Sequence, residues 1–123
     1  MIQDIDDSPE LTTLERLVLD VILAGDDPGL GLFRTQVALA SVASRTPSGV
    51  GFMTKLRVPV DAPIPELGAA LNLPVVYATH PQLTGGAEFL VQVKDQRVNC
   101  IEAFCYEGMW PADESLFEIS QRK

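Results

Sequence analysis

The chain is poor in the residues on which most catalytic chemistry rests. Of 123 residues one is histidine and two are cysteine. Any mechanism that needs a neutral base near pH 7 therefore falls on His80, which sits between Thr79 and Pro81 with no nucleophile or orienting acid in a nearby motif. A surface histidine is the plainer reading. No Cys-x-x-Cys and no paired histidines offer a zinc site, so no metal is expected. Gly29-Leu30-Gly31 and Gly49-Val50-Gly51 do not continue to Gly-Lys-Ser/Thr, and turn or strand glycines explain them without a phosphate-binding loop. Bases are also scarce, nine Lys and Arg against 17 Asp and Glu for a net charge of −8. They are scattered, whereas phosphate backbones are held by clustered cations, so a nucleic-acid partner is disfavoured. The longest strongly apolar stretch, residues 17–25, is broken by Asp20 and follows no cationic segment. Neither a membrane span nor a signal peptide is expected, and the expected location is cytoplasmic, with reduced thiols.

What is present suits a small globular protein. With 46% hydrophobic and 21% charged residues, residues 1–123 read as a single domain with a loose acidic N-terminus over 1–8. A chain of this size removes roughly two-thirds of its unfolded surface from water, so no cofactor or disulfide is required to stabilise it. The acid excess is local: residues 1–27 hold Asp4, Asp6, Asp7, Glu10, Glu15, Asp20, Asp26 and Asp27 against Arg16. A basic protein would suit such a surface, while the plainer reading is a solvated face that keeps the domain soluble.

Ser8-Pro9 reads as a helix N-cap and first helical residue. Leu11, Leu14, Leu17, Val18, Val21 and Ile22 then recur at helical spacing over residues 11–24, with Glu15, Arg16 and Asp20 on the other side and Gly25 as the stop. Asp26 to Gly29 is turn chemistry, and residues 30–39 suit a second, weakly amphipathic helix. Residues 40–46 and 50–58 form a hairpin around Thr46-Pro47-Ser48-Gly49. Prolines 59, 63, 65 and 74 make the next stretch a connector, with a short helix or turn at 65–71. Residues 75–79 read as an edge strand between Pro74 and Pro81, and Leu83 to Gly86 as a loop. The order implies an α+β domain: N-terminal helices packed on an antiparallel sheet of about five strands built from two hairpins.

The last hairpin, residues 87–93 and 97–106, turns at Asp95-Gln96. A regular ladder sets Lys94 opposite Arg97, Val93 opposite Val98, Val91 opposite Cys100 and Phe89 opposite Glu102. One face then carries Phe89, Val91, Val93, Val98, Cys100, Glu102, Phe104 and Tyr106, and places the Glu102 carboxylate among apolar side chains. A desolvated carboxylate must pair or protonate, which suits a ligand anchor, or more simply a backbone contact or a pair with Arg45 or Arg57. Cys100 and Cys105, five apart, fall on opposite faces about 16 Å from each other at roughly 3.3 Å per residue, so they neither bridge nor share a metal and read as buried, inert thiols. Leu90, Ile101, Ala103 and Cys105 leave an apolar patch on the second face, to be covered by the second helix, by residues 116–119 or by a second copy of the chain. Met109, Trp110 and Pro111 with Tyr106 make an aromatic cluster, either a core edge or a binding hot spot.

Ser44-Arg45-Thr46-Pro47-Ser48-Gly49-Val50-Gly51-Phe52, Val93-Lys94-Asp95-Gln96-Arg97, Ile101-Glu102-Ala103-Phe104-Cys105-Tyr106 and Trp110-Pro111 occur in this order over about residues 30–111. Together they resemble a group of small uncharacterised bacterial α+β proteins whose pattern is a Gly-x-Gly-Phe hairpin, a Lys/Arg-Asp-Gly turn, a Leu-Glu-x-Tyr-x-Tyr strand and a Trp-Pro. The resemblance implies a bacterial source and no particular activity. Gln96 stands at the usual glycine, Phe104 at a tyrosine and Cys105 at a threonine.

These readings favour a non-enzymatic binding or interaction protein with no catalytic residue, cofactor or metal, whose partners are a second copy in a homodimer or a basic protein, without nucleic acid or membrane. The alternative is a small-molecule binder or weak enzyme with a pocket between helix and sheet, using Glu102, Tyr106, Arg45 and Trp110.

Overall fold

Both helices start where a side chain can satisfy the first free backbone N–H groups. In the computed structural model, which describes residues 10–66 and 73–120, helix α1 spans Thr13–Ile22. The Thr12 hydroxyl accepts from the Glu15 N–H at 3.1 Å, and the Glu15 carboxylate accepts from the Thr12 N–H at 2.8 Å. This reciprocal capping box fixes the helix start at Thr12 and not at the expected Ser8-Pro9, residues that lie outside those described, as does the acidic stretch before them. At the other end the Arg34 Nη1 donates to the carbonyls of Leu23 and Gly25, at 2.6 and 3.2 Å, placing a cation against the negative end of the helix. Helix α2 spans Pro28–Leu39, capped by Asp27, whose carboxylate accepts from the Gly29 N–H at 2.8 Å.

Six strands follow: β1 (Ser41–Pro47), β2 (Gly51–Arg57), β3 (Val76–His80), β4 (Leu83–Lys94), β5 (Arg97–Cys105) and β6 (Glu118–Ser120). They form one antiparallel sheet in the order β1-β2-β5-β4-β3-β6. The architecture is α+β as expected, with six strands where about five were expected. The added strand is β6, which pairs with β3 and makes it an interior strand and not an edge. Pro74 and Pro81 flank β3 without interrupting it. Leu83 to Gly86 belongs to β4 and is not a loop, because the reversal is made by residues 81–82. The helix or turn expected at 65–71 falls largely on residues 67–72, outside those described.

Helix α1 packs on β3 and β4, and α2 on β5. Leu14, Val18, Leu19 and Ile22 of α1 share the core with Val76, Ala78, Phe89, Ile101 and Ala103, all buried. Fully burying one such aliphatic or aromatic side chain contributes about 1.5–3 kcal/mol, so this layer dominates stability. Fully buried Gln36 locks the distal end of α2: its Nε2 donates to the carbonyls of Pro63 and Gln96 at 2.9 and 3.0 Å, and its Oε1 accepts from the Val98 N–H at 2.9 Å.

The β4–β5 turn is made by Asp95 and Gln96, both left-handed with φ of 53° and 65°. Lys94 and Val93 stand opposite Arg97 and Val98, as expected. Beyond them the ladder slips by one residue: Gln92 pairs with Cys100, Val91 with Ile101, Leu90 with Glu102 and Phe89 with Ala103. Asn99 is the extra residue, a β-bulge in β5. Because strand side chains alternate, one inserted residue exchanges the faces of everything beyond it. Ile101, Ala103 and Cys105 therefore turn to the helix side and join the core, while Leu90, the fourth residue of the expected patch, stands opposite Glu102 on the other face. Cys100, Glu102 and Phe104 turn to the face that carries no helix.

Candidate functional site

A cavity of about 310 Å³ opens between the N-terminal end of α1, the tip of the β1–β2 hairpin and the segment after β5. Glu15 and Arg45 line it together with Phe52, Met109, Trp110 and Glu114.

Glu15 enters from the first turn of α1, and its side chain is 1% exposed. The expectation that it faces solvent is overturned by the capping box, which bends the carboxylate back across the helix start toward the sheet. Arg45 arrives from β1 through a second bulge. Val42 pairs with Leu56, Ala43 is the extra residue, and Arg45 then pairs with Thr54 on the core-facing side. The Arg45 Nη2 donates to Glu15 Oε1 at 2.7 Å and its Nε to Oε2 at 3.0 Å, a two-pronged pair. The buried Thr54 hydroxyl donates to Oε2 at 2.6 Å. With the Thr12 N–H, each carboxylate oxygen accepts two hydrogen bonds. Burial works against the charge, but the bonds from Arg45, Thr54 and Thr12 outweigh it, and the Glu15 carboxyl is held below its ordinary pKa. An ionised carboxylate with every lone pair engaged orients its neighbours and donates no proton.

The opposite wall is built by turn chemistry. Gly51 must be glycine, since a Cβ there would lie 1.8 Å from the carbonyl oxygen of Ala103. This close approach lets the Cys105 N–H reach the Val50 carbonyl at 2.8 Å and the Trp110 N–H reach the Gly49 carbonyl at 2.9 Å. The tip of the first hairpin thus clamps the segment that carries Trp110. The indole donates to Glu114 Oε2 at 2.8 Å and stands edge-on to Phe52 and Phe89, with centroids 5.5 and 5.8 Å away. It also packs on Phe117 at 5.0 Å. Met109, 76% exposed, stands at the mouth.

Of the four residues singled out from the sequence, Arg45 and Trp110 meet at this cavity, and Glu102 and Tyr106 do not line it. Glu102 is on the helix-free face, half-buried beside Leu90 and Met53, and accepts from the Gln92 Nε2 at 2.8 Å. The pairing of Arg45 with Glu102 is likewise replaced by its pairing with Glu15. Exposed Tyr106 donates its hydroxyl to Glu88 Oε1 at 2.6 Å, a bond that pushes the phenol pKa up to about 12. His80 is buried rather than on the surface: its Nδ1 accepts from the Gln82 N–H at 3.0 Å, which leaves Nε2 to donate to the Asp113 carbonyl at 2.8 Å. Both cysteines are free and buried as expected, and burial pushes the Cys100 thiol up.

Sequence reasoning missed Glu15, Thr54 and Glu114. The first was within reach, because Thr12-Thr13-Leu14-Glu15 is a Thr-x-x-Glu capping signature; Thr54 and Glu114 carry no local signal. Among the described residues no group of three His, Cys, Asp or Glu side chains could hold a metal ion, and no helix is long and apolar enough to cross a membrane. No protein-family model, curated protein or solved structure matches the chain.

Proposed function

We propose that the chain is a non-enzymatic binding protein of the bacterial cytoplasm and that the Trp110 cavity is where it binds. The observation that carries this reading is the closed Glu15–Arg45–Thr54 cluster beneath an aromatic wall. Its charges are spent on one another, so the cavity presents apolar surface with a few fixed polar groups, the usual make-up of a ligand site, and no poised acid or base. The two buried free cysteines suit a reducing compartment. The version in which Glu102 anchors a ligand loses its support, since the bulge at Asn99 carries that residue to the opposite side of the sheet.

Trp110 is the only tryptophan of the chain, so its emission reports on the cavity. In a fragment screen read by thermal shift, fragments that raise Tm are expected also to shift Trp110 emission, because a ligand that binds the native state alone stabilises it. Stabilising fragments that leave the emission unchanged would place binding elsewhere and refute the reading, as would a screen with no stabilising fragment.

A further inference from the structure

We infer that the sheet face without helices is a dimer interface, on which a second copy of the chain packs end for end. The inference goes beyond the Trp110 cavity and does not rest on it.

The sheet is covered on one side only. Both helices pack on the side of Phe89, Ile101 and Ala103, and strand alternation sends the intervening residues to the other side. The middle of that side is apolar and half-buried, with Met53, Leu90 and Phe104 on the strands β2, β4 and β5. At about 4.8 Å between strands and 3.3 Å per residue, the six strands present a face on the order of 700 Å². That is close to the roughly 800 Å² each partner contributes to a stable complex.

The charges on this face are sorted along the strands. At the end next to the Asp95-Gln96 turn stand Lys55 and Arg57 of β2, Lys94 of β4 and Arg97 of β5. Toward the other end stand Glu102 of β5, Glu88 of β4 and Glu118 of β6. Among the described residues none of these seven is in an ion pair. Glu88 accepts from the Tyr106 hydroxyl at 2.6 Å and Glu102 from the Gln92 Nε2 at 2.8 Å. Arg97 donates to the carbonyls of Asp95 and Val60 at 3.4 and 3.0 Å, so these partners are neutral and the charges are kept.

The chain as a whole carries −8, so association is opposed unless it brings opposite charges together. A wholly basic partner matches one half of this face and is repelled by the other, and a wholly acidic partner does the reverse. A second copy rotated by half a turn, about an axis in the interface that crosses β4 between Leu90 and Gln92, matches both. That rotation lays β4 on the partner's β4 in the opposite direction. Glu88 then lies over the partner's Lys94 and Glu102 beside the partner's Lys55, with Leu90 and Met53 of both copies next to the axis. A two-fold contact is isologous, so each pairing occurs twice.

The test is sedimentation equilibrium of the full chain. A monomer–dimer equilibrium is expected, weakened by added salt because exposed charges are screened. Glu88→Lys and Lys94→Glu each set like charges against one another twice, and each is expected to weaken the dimer at least about tenfold. Mixed in equal amounts, the two variants pair lysine with glutamate at both places, and association is expected to return to within about threefold of the wild type. Circular dichroism and Tm verify each fold, and recovery in the mixture is a result that misfolded variants cannot give. A wild-type chain that stays monomeric at the highest concentration reached would overturn the inference, as would a dimer unchanged by both single variants. Weakened variants whose mixture does not recover would overturn it too, because the mixture reads the end-for-end pairing directly.

Discussion

Glu15 and Gln36 hold opposite ends of the same helical layer to the same sheet, and they do so by different physics. Both are at most 1% exposed and both have their side-chain oxygens bonded. Gln36 is neutral: it gives two N–H bonds to carbonyls and takes one from the Val98 N–H, stitching α2 to the β4–β5 turn and to the connector. Glu15 is charged, needs four donors including a guanidinium, and borders a cavity. A neutral hub closes its surroundings and asks nothing of pH. A charged hub beside open volume depends on one partner keeping its charge.

The comparison is most sharply broken by Glu15→Ala. It removes the Glu15 carboxylate from a guanidinium that is only 6% exposed, and the expected loss is about 3–5 kcal/mol in chemical denaturation. A loss below about 1 kcal/mol would mean that Arg45 finds water or another acceptor at no cost. Gln36→Ala is next, with an expected loss of about 1–3 kcal/mol from a buried Val98 N–H without its acceptor. The pH profile separates the two hubs. Folding lowers the Glu15 pKa below its ordinary 4.5, so its contribution is complete above that value and is lost as pH falls through the folded-state value. Denaturation midpoints measured downward from pH 6 should fall less steeply for Glu15→Gln than for the wild type. Gln36→Ala should keep the wild-type slope. The smallest effect is expected for Glu102→Ala, within about 0.5 kcal/mol, because its bond to Gln92 is exposed. A loss comparable to that of Glu15→Ala would place Glu102 back among the core side chains.

Much of this architecture could be read from residue spacing. The apolar stripe of α1, a second helix after it, the first hairpin and the Asp95-Gln96 reversal follow from side-chain periodicity and turn chemistry, and each is found, although α2 starts at Pro28, inside the expected turn, because Asp27 caps it. The candidate site was legible only in part, and the reason is local. Bulges at Ala43 and Asn99 insert one residue each without any compositional mark, yet they decide that Arg45 faces the helices and Glu102 does not. A regular alternation carried across Asn99 assigns the wrong face to every residue after it. Glu15 was obscured because Ser8-Pro9 offers an equally good helix start, and a start four residues too early leaves the Thr12 cap unnoticed. β6, three residues long, is too short for alternation to register, and it needs β3 beside it to exist.

The Asn99 bulge has a consequence for how such a chain can change. An in-frame deletion of that codon would leave the turn intact and restore a regular ladder, but it would exchange the wetted and oily series of the distal half of β5, driving Glu102 toward the helices and Ile101 into water. Substitutions along this strand can accumulate singly, whereas a length change at this point inverts the sheet in a single step. Loop grafting and library design on this scaffold should therefore vary the identity of residue 99 and leave the count of residues around it untouched.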